Sequence, residues 1–380
     1  MIRLVSSIFI ALATLGSAQP TAPKPPVSAR PVLRAQPLDD EKVHPKTIPP
    51  APTPALPKVS PLDVKPTGDD ALRLQIFLDE AKFGPGIIDA KPGRFTELAV
   101  QSWNEVNGYP LEDWVAANTA ARKAVLNPLA TAVVPDLVID WVNENLPTKV
   151  ELQAKAKRMS YRSVAEFMAE RYHCDVPYLA TLNGEAKIES LKPRDSLTVP
   201  NVQPFCIEAL TGAGYKNDGV LSKRHVVVDT KINQARIYEA EPAALVVSEV
   251  GATLPITHVT RPNRGLIASF PITPGEDRFL QFGTWEVRNA VELPHWRYDL
   301  KLLETGKRSS ESEALNIAPG PNSPVGIFWC GLTKPGVGMH GTPSPETIGR
   351  ARSHGCIRMA NWDAVRLPTL IRPGTTVEIR

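Results

Sequence analysis

The 380-residue sequence has little net charge, few cysteines and, after its first twenty residues, no long apolar run. A formal net charge of +3, spread along the chain, argues against a nucleic-acid-binding surface, which would concentrate lysine and arginine. The lack of a second apolar run excludes a further membrane span, which needs about 20 apolar residues. The four cysteines are Cys174, Cys206, Cys330 and Cys356. Cys174 could pair with Cys206 in an oxidising compartment, but the sequence leaves this open, and a nucleophilic thiol would have to stay reduced.

The first residues have the three parts of a secretory signal peptide. Arg3 gives the positive start, residues 4–15 form the apolar segment, and a small-residue cleavage site ends at Ala18. The apolar segment is too short to span a bilayer whose hydrocarbon core is roughly 30 Å thick. We therefore expect residues 1–18 to be removed and the protein to be exported, either periplasmic or associated with the cell wall. An uncleaved anchor is the alternative.

Residues 19–66 have the composition of an extended linker. Fourteen of the 38 prolines lie here, among alanine, lysine and valine. Proline has no backbone N–H, and the segment has little apolar surface to bury, so we predict a disordered, polyproline-type tether.

Residues 67–110 predict a small helical module. Apolar spacing from Leu72 to Leu78 and from Phe95 to Val106 indicates two helices joined by turns rich in glycine and proline. The pattern resembles the helical peptidoglycan-binding domain, with Ala90 at a turn position where that family usually has glycine. An ordinary helical hairpin is the alternative.

Residues 111–160 indicate a helical connector to which no chemistry is assigned. Residues 161–203 predict a helix from Val164 to Tyr172, a second short helix and a strand from Asp195 to Pro200. This order resembles the LysM fold, a binder of N-acetylglucosamine-containing glycans, with Arg194 where that family usually has glycine. The opening motif of the fold is degenerate, so a structural spacer without glycan binding is the alternative.

The strongest chemical pattern lies near the C-terminus. The sequence M-H-G-T at residues 339–342 is followed by S-H-G-C-I-R at residues 353–358. It supplies a thiol, Cys356, with two histidines in reach, and a thiolate near neutral pH needs a base or a positive field close by. Gly341 and Gly355 have no Cβ, so the backbone can turn tightly and approach a substrate. The pattern predicts a cysteine acyl-transfer site.

From His225 onward the sequence predicts a mainly antiparallel β domain. We predict strands at residues 225–229, 234–238, 266–271, 283–287, 325–329 and 376–380, and a helix at residues 361–370. With H-G-T followed by S-H-G-C-I-R-M, the region resembles the L,D-transpeptidase (YkuD-type) catalytic domain over residues 224–380. The resemblance implies a multidomain protein: a mainly β, sandwich-like catalytic domain preceded by a helical module and a small α+β module that bind the cell wall. Residues 275–280 and an apparent insertion at residues 241–264 depart from the family pattern on the acceptor side of the groove.

The resemblance and the chemistry of the residues together imply catalytic roles. Cys356 would be the nucleophile, and His340 would accept the thiol proton and later return it to the leaving amine. The backbone carbonyl of Gly341 would orient the His340 ring in place of the carboxylate of a Ser-His-Asp triad. The N–H groups of Gly355 and Cys356 would form the oxyanion hole, where one donor is typically worth ~3 kcal/mol.

Three further residues belong to the predicted site or lie near it. Ser353 and His354 would hydrogen-bond around the thiolate and hold the loop, and Arg358 could bind a substrate carboxylate. A structural role for His354 and an internal salt bridge for Arg358 are the alternatives, and Cys330 is expected in the core. A zinc site at the same histidines and thiol would lack a fourth ligand, so we expect no metal or other cofactor.

The resemblance implies peptidoglycan stem peptides and glycan strands as partners. Cys356 would attack the third residue of a tetrapeptide stem, D-alanine would leave, and an amine would resolve the thioester. The acceptor could be another stem, a lysine of an outer-membrane lipoprotein, or water, which would make the enzyme an L,D-carboxypeptidase. We expect carbapenems to acylate the same thiol. The alternatives are a catalytically inactive wall-binding protein and a cysteine endopeptidase, although papain-like wall hydrolases place cysteine before histidine in the chain.

Overall fold

The structure, a computed structural model of the chain, describes residues 64–240, 265–276, 282–299, 301, 309–310, 314–350 and 355–380. The predicted signal peptide, nearly all of the predicted linker and the predicted insertion lie outside the described residues. Within the described ranges, none of the helices has the length and apolar character needed to cross a bilayer.

Helices α1 (Gly68–Glu80), α2 (Arg94–Asn107) and α3 (Trp114–Ala124) open the described chain. The first two confirm the helical spacing seen in the sequence, and α2 ends where Gly108 adopts a left-handed φ of +74°. Asp113 caps α3 by accepting a hydrogen bond from the N–H of Ala116. The three helices share a buried apolar cluster that includes Leu74, Leu78, Ala99, Val100, Trp114 and Ala117. Helix α3, which the sequence assigned to the connector, therefore packs with the helices before it.

The prediction of a helical connector at residues 111–160 is wrong in its middle part. Strand β1 (Leu129–Val133) lies there and pairs antiparallel with β2 (Ser196–Pro200). Ala132 is buried while both its neighbours are exposed, the alternation of a strand that packs on one face. The partner strand is more than sixty residues further along the chain, so local spacing could not indicate the pairing.

Several short helices lie between β1 and β2. They are α4 (Val150–Gln153), α5 (Val164–Arg171), α6 (Val176–Asn183) and α7 (Glu185–Glu189). The side chains of Ser163 and Asp175 cap α5 and α6 by accepting hydrogen bonds from backbone N–H groups. The helices and the strand predicted within residues 161–203 are therefore present.

Two residues in this part of the chain adopt a backbone conformation that favours glycine. Ala90 has φ +60° and Arg194 has φ +73°, at a cost of about 1 kcal/mol each relative to glycine. Both stand where the families resembled by residues 67–110 and 161–203 usually carry glycine. The side chain of Gln75 holds the first turn by accepting a hydrogen bond from the Ala90 N–H, at 2.8 Å. Each turn therefore keeps a left-handed residue although the glycine is absent.

The C-terminal region is built on one mixed sheet, which has nine strands over the residues that the structure describes. Its strands are β3 (Gly214–Tyr215), β4 (His225–Asp229), β5 (Gln234–Tyr238), β6 (Leu266–Pro271), β7 (Gly283–Glu292), β10 (Phe328–Leu332), β11 (Gly338–His340), β12 (Ile357–Arg358) and β13 (Thr376–Ile379). Strands β8 (Trp296–Tyr298) and β9 (Leu315–Ile317) form a separate pair, and helices α8 (Asn361–Ala364) and α9 (Leu367–Leu370) follow β12.

The long strand β7 connects the two halves of this sheet. The order is β12-β11-β10-β7-β13-β4-β5-β6, with β3 also beside β7. Residues 283–286 of β7 pair with β13, and residues 287–292 pair with β10. The prediction of a mainly β catalytic domain is confirmed, with helices in the region before it.

Three predicted elements have clearly different bounds. The strand predicted at residues 283–287 continues to Glu292 as β7. The strand predicted at residues 325–329 begins three residues later, because Gly326 has φ +59° and closes a turn by donating to the Ser323 carbonyl, at 2.7 Å. The helix predicted at residues 361–370 is divided into α8 and α9. Pro368 lies at the start of α9 and has no N–H to continue the hydrogen-bond ladder of α8.

A buried charged cluster joins the N-terminal helices to the end of the chain. Asp79 in α1 is 1% exposed and accepts a hydrogen bond from Arg366 at 2.6 Å, while Nδ1 of His173 lies 3.0 Å away. The His173 ring stacks on Trp362 with centroids 5.5 Å apart. Burial alone would raise the pKa of Asp79, but Arg366 and His173 hold it well below its usual range, so the carboxylate is ionised. One buried carboxylate thus holds three distant segments together.

Candidate active site

Strands β10, β11 and β12 place three side chains of the predicted site region on one face of the sheet. His340 in β11 lies opposite Trp329 in β10 and opposite Arg358 in β12. Residues that pair across strands point to the same side, and successive residues alternate. Cys330, next to Trp329, therefore points to the other face, where it is fully buried. Burial raises the pKa of Cys330 to about 12, which agrees with the core position expected from the sequence.

Cys356 directly precedes β12, two residues before Arg358, so the pairing of β11 with β12 brings it close to the strand that carries His340. The residue is half-buried, and its thiol donates a hydrogen bond to the Gly336 carbonyl at 3.4 Å. The N–H of Gly338 donates to the Cys356 sulfur. The turn between β10 and β11 therefore holds the thiol through backbone groups. All four cysteines lie in described residues and carry thiols, so Cys174 and Cys206 are not joined in this structure.

The His340 ring is buried and fixed from several sides. Its Nδ1 lies 2.7 Å from the Gly341 carbonyl, the contact expected from the sequence. An Nδ1–H that donates to this carbonyl leaves Nε2 as an acceptor. The ring stacks on Trp329 with centroids 5.7 Å apart, and the His340 carbonyl accepts from the N–H of Met359 at 2.8 Å. The arrangement presents a neutral imidazole that can accept a proton.

The electrostatics of the site keep both reacting groups neutral at rest. Burial and, to a smaller extent, the nearby Arg358 charge lower the pKa of His340 to about 4, against the opposing hydrogen bond to the Gly341 carbonyl. Burial raises the pKa of Cys356 to about 11, although the Gly338 N–H and Arg358 favour the thiolate. A thiol and a neutral imidazole are therefore the resting forms at pH 7. The thiolate forms only when the proton is transferred as the sulfur attacks.

The segment Thr273-Pro274-Gly275 packs along the other side of β12. The backbone of Thr273 exchanges two hydrogen bonds with that of Arg358, each 2.9 Å long. A Cβ on Gly275 would lie 2.2 Å from the Cα of Gly355, so only glycine fits against the loop before Cys356. Gly355 has φ +97°. These contacts fix the backbone that carries the two predicted oxyanion donors.

Ser353 and His354 of the predicted site lie outside the described residues, and their roles stay predictions. Arg358 lies on the face of His340 and is half-buried. Nowhere in the described ranges do three or more histidine, cysteine, aspartate or glutamate side chains gather in a way that could hold a metal ion.

Sequence reasoning missed two contributors to this site. Trp329 was predicted only as part of a strand, although an aromatic residue before the thiol of Cys330 could have suggested a stacking partner. Gly275 was noted only as a departure from a family turn. Its closeness to Gly355 follows from the pairing of Thr273 with β12, which no local pattern indicates.

Known proteins resemble the C-terminal part of the chain. The family model YkuD, the L,D-transpeptidase catalytic domain, matches residues 256–379. A Bacillus licheniformis protein named L,D-transpeptidase YkuD is 45% identical over 65 residues, which are 17% of this chain and 39% of that protein. Its Bacillus subtilis namesake is 41% identical over 71 residues, 19% of this chain and 43% of that protein.

The chain thus spans about two fifths of the length of these curated relatives. Among solved structures, L,D-transpeptidase 3 from Mycobacterium tuberculosis aligns with 50% of this chain and 76% of its own length. The sequence identity is 13% and the TM-score 0.29, a superposition too poor to support an inference.

Proposed function

We propose that the chain is a peptidoglycan L,D-transpeptidase with Cys356 as its nucleophile, from the premise that residues 256–379 match the model of the YkuD family, the L,D-transpeptidase catalytic domain. The observation that supports the proposal is the parallel pairing of His340 in β11 with Arg358 in β12, because Cys356 lies directly before β12. The His340 ring is held with Nδ1 at the Gly341 carbonyl, so that Nε2 can take the thiol proton.

In the first half-reaction the Cys356 sulfur attacks the carbonyl of the third residue of a tetrapeptide stem. The thiol proton passes to Nε2 of His340, a C–S bond forms, and the oxyanion is bound by the N–H groups of Gly355 and Cys356. The peptide C–N bond then breaks, and His340 gives its proton to the departing D-alanine amine. Arg358, on the same face, would bind a carboxylate of the stem.

In the second half-reaction an amine attacks the thioester. His340 takes the proton of the amine and returns it to the sulfur, which leaves as the thiol. If the amine belongs to a second stem the product is a cross-link, and if it belongs to a protein lysine the product is an attached lipoprotein. With water in place of the amine the enzyme would be an L,D-carboxypeptidase, the second candidate function.

We further propose that the protein is exported and that residues 67–110 and 161–203 bind the wall polymer. The signal-peptide pattern of residues 1–18 supports export. The left-handed backbone at Ala90 and Arg194 supports wall binding, because each residue keeps the turn geometry for which the resembled families use glycine. Binding to the polymer would raise the effective concentration of stems at Cys356.

Incubation with imipenem followed by intact-mass measurement tests the catalytic proposal. We expect wild type and Cys330→Ala to gain one covalent adduct each, because Cys330 points into the core, and we expect Cys356→Ala to gain none. A folded wild type that stays unmodified would favour a wall-binding role without catalysis. Analysis of muropeptides after incubation with purified sacculi then distinguishes cross-linking from hydrolysis.

A further inference from the structure

The side chain of Asn361 lies directly behind the backbone that orients the His340 ring. Asn361 begins α8, five residues after Cys356, and is fully buried. A Cβ on Gly341 would lie 2.0 Å from Asn361 Oδ1, and a Cβ on Gly326 would lie 2.2 Å from it. Both glycines therefore pack against the amide, and one of them supplies the carbonyl that lies 2.7 Å from His340 Nδ1.

Hydrogen bonds determine which way the Asn361 amide points. Its oxygen accepts from the N–H of Ile327 at 3.3 Å, and its nitrogen donates to Glu170 Oε1 at 2.8 Å and to the Pro321 carbonyl at 3.3 Å. Rotation of the amide by 180° would place its oxygen against two acceptors and its nitrogen against a donor. Only one orientation satisfies these neighbours, and in it the oxygen faces Gly341.

Glu170 brings a distant part of the chain to this point. It lies on α5, 191 positions from Asn361, and is 8% exposed. Its second oxygen, Oε2, accepts a hydrogen bond from the Tyr161 hydroxyl. Burial raises the pKa of Glu170 to about 7, so both protonation states occur near neutral pH. A proton on Oε2 can be donated to the Tyr161 oxygen, which leaves Oε1 as the acceptor for Asn361 in either state.

We propose that Asn361 is a positioning residue for the His340 imidazole, acting through the backbone of Gly341, and that Glu170 holds the Asn361 amide in the required orientation. The inference rests on the proposed function for the role of His340. Without Glu170 the amide loses its shortest hydrogen bond and keeps only the two 3.3 Å contacts with Pro321 and Ile327, so the packing behind the Gly341 carbonyl loosens. The Nδ1 contact then weakens, and the ring spends part of its time with the proton on Nε2, where it cannot accept the thiol proton.

The experiment compares Glu170→Ala and Glu170→Gln in the full chain, with Glu166→Ala as the matched control. Glu166 lies on the same helix, but its carboxylate binds the side chain of Asn322 and the backbone N–H of Arg162. We expect Glu170→Ala to be acylated by imipenem at least tenfold more slowly at saturation, with the half-saturating concentration unchanged. Glu170→Gln keeps an acceptor oxygen and should stay within about twofold of wild type, as should Glu166→Ala.

The ring ¹⁵N chemical shifts of His340 give a second readout that does not depend on activity. We expect the Nδ1–H tautomer in wild type and Glu170→Gln, and a mixture of tautomers in Glu170→Ala. An unchanged tautomer in a folded Glu170→Ala protein would overturn the proposal, as would an equal loss of rate in Glu166→Ala. If the wild type is not acylated at all, the proposed function fails, and the tautomer comparison still decides whether Glu170 and Asn361 position the ring.

Discussion

Replacing Gly275 by alanine should displace the loop that carries the proposed oxyanion donors. An ideal Cβ at this position would lie 2.2 Å from the Cα and 2.4 Å from the nitrogen of Gly355. These atoms belong to the backbone, so no side-chain rotation can relieve the overlap. Because ordinary contacts of a Cβ begin at 3.4 Å, the loop must move by roughly 1 Å.

A displacement of this size should be visible in the acylation rate. Misplacement by 1 Å in an active site can cost ~100-fold in rate, and the loss of one oxyanion donor costs a similar factor. We therefore expect Gly275→Ala to lower the rate constant for acylation of Cys356 by imipenem ~100-fold, because the nucleophile is intact but its oxyanion donors are misplaced.

A time course of intact mass at pH 7 measures this rate, with thermal unfolding as a check on the fold. Gly219→Ala is the matched control, because a Cβ at Gly219 would meet nothing within 4 Å. A folded Gly275→Ala protein that is acylated at the wild-type rate would refute the reasoning. An equal loss of acylation rate in Gly219→Ala would refute it too.

Two further predictions follow from shifted pKa values. The neutral His340 ring must accept the thiol proton, and its pKa is lowered to about 4, so we expect the acylation rate to rise with increasing pH and to reach half its maximum near pH 4. A midpoint near pH 6.5 would contradict a lowered pKa of His340. The pKa of Glu170 is raised from 4.5 to about 7, so its contribution to stability is complete below pH 4.5 and is lost as the pH rises through 7. Urea denaturation measures the free energy of unfolding of wild type and Glu170→Gln. Between pH 4.5 and pH 8 the value for wild type should fall by about 3 kcal/mol relative to the value for Glu170→Gln. A difference between the two proteins that does not vary with pH would contradict the raised pKa of Glu170.

Helices and strands that end at a turn residue or a glycine in the sequence could be predicted. Strands β4 and β5 have β-branched or alternating residues bounded by turns, and they lie where expected. Helix α2 ends at Gly108, since glycine adopts the left-handed conformation without strain. Cys356 and His340 could be proposed as nucleophile and proton acceptor, because both lie in a short motif whose chemistry is specific.

Contacts between distant segments could not be predicted in this way. The spacing of apolar residues shows which side of a helix or strand is buried, but not which other segment of the chain packs against that side. The pairing of β1 with β2 and the hydrogen bond from Asn361 to Glu170 both join segments more than sixty residues apart. The contact of Gly275 with Gly355 depends in the same way on which strands become neighbours.

The buried carboxylate of Asp79 determines which fragments of this protein can be expected to fold. Arg366, near the C-terminus, has Asp79 as its closest counter-ion at 2.6 Å, ahead of Asp363 at 3.3 Å. A fragment that starts at the transpeptidase match would lack that partner and would also uncover the faces on which α1 and α5 rest. We therefore expect the thiol-bearing sheet not to fold without the N-terminal helices, and the segments predicted as separate modules to unfold in a single cooperative step.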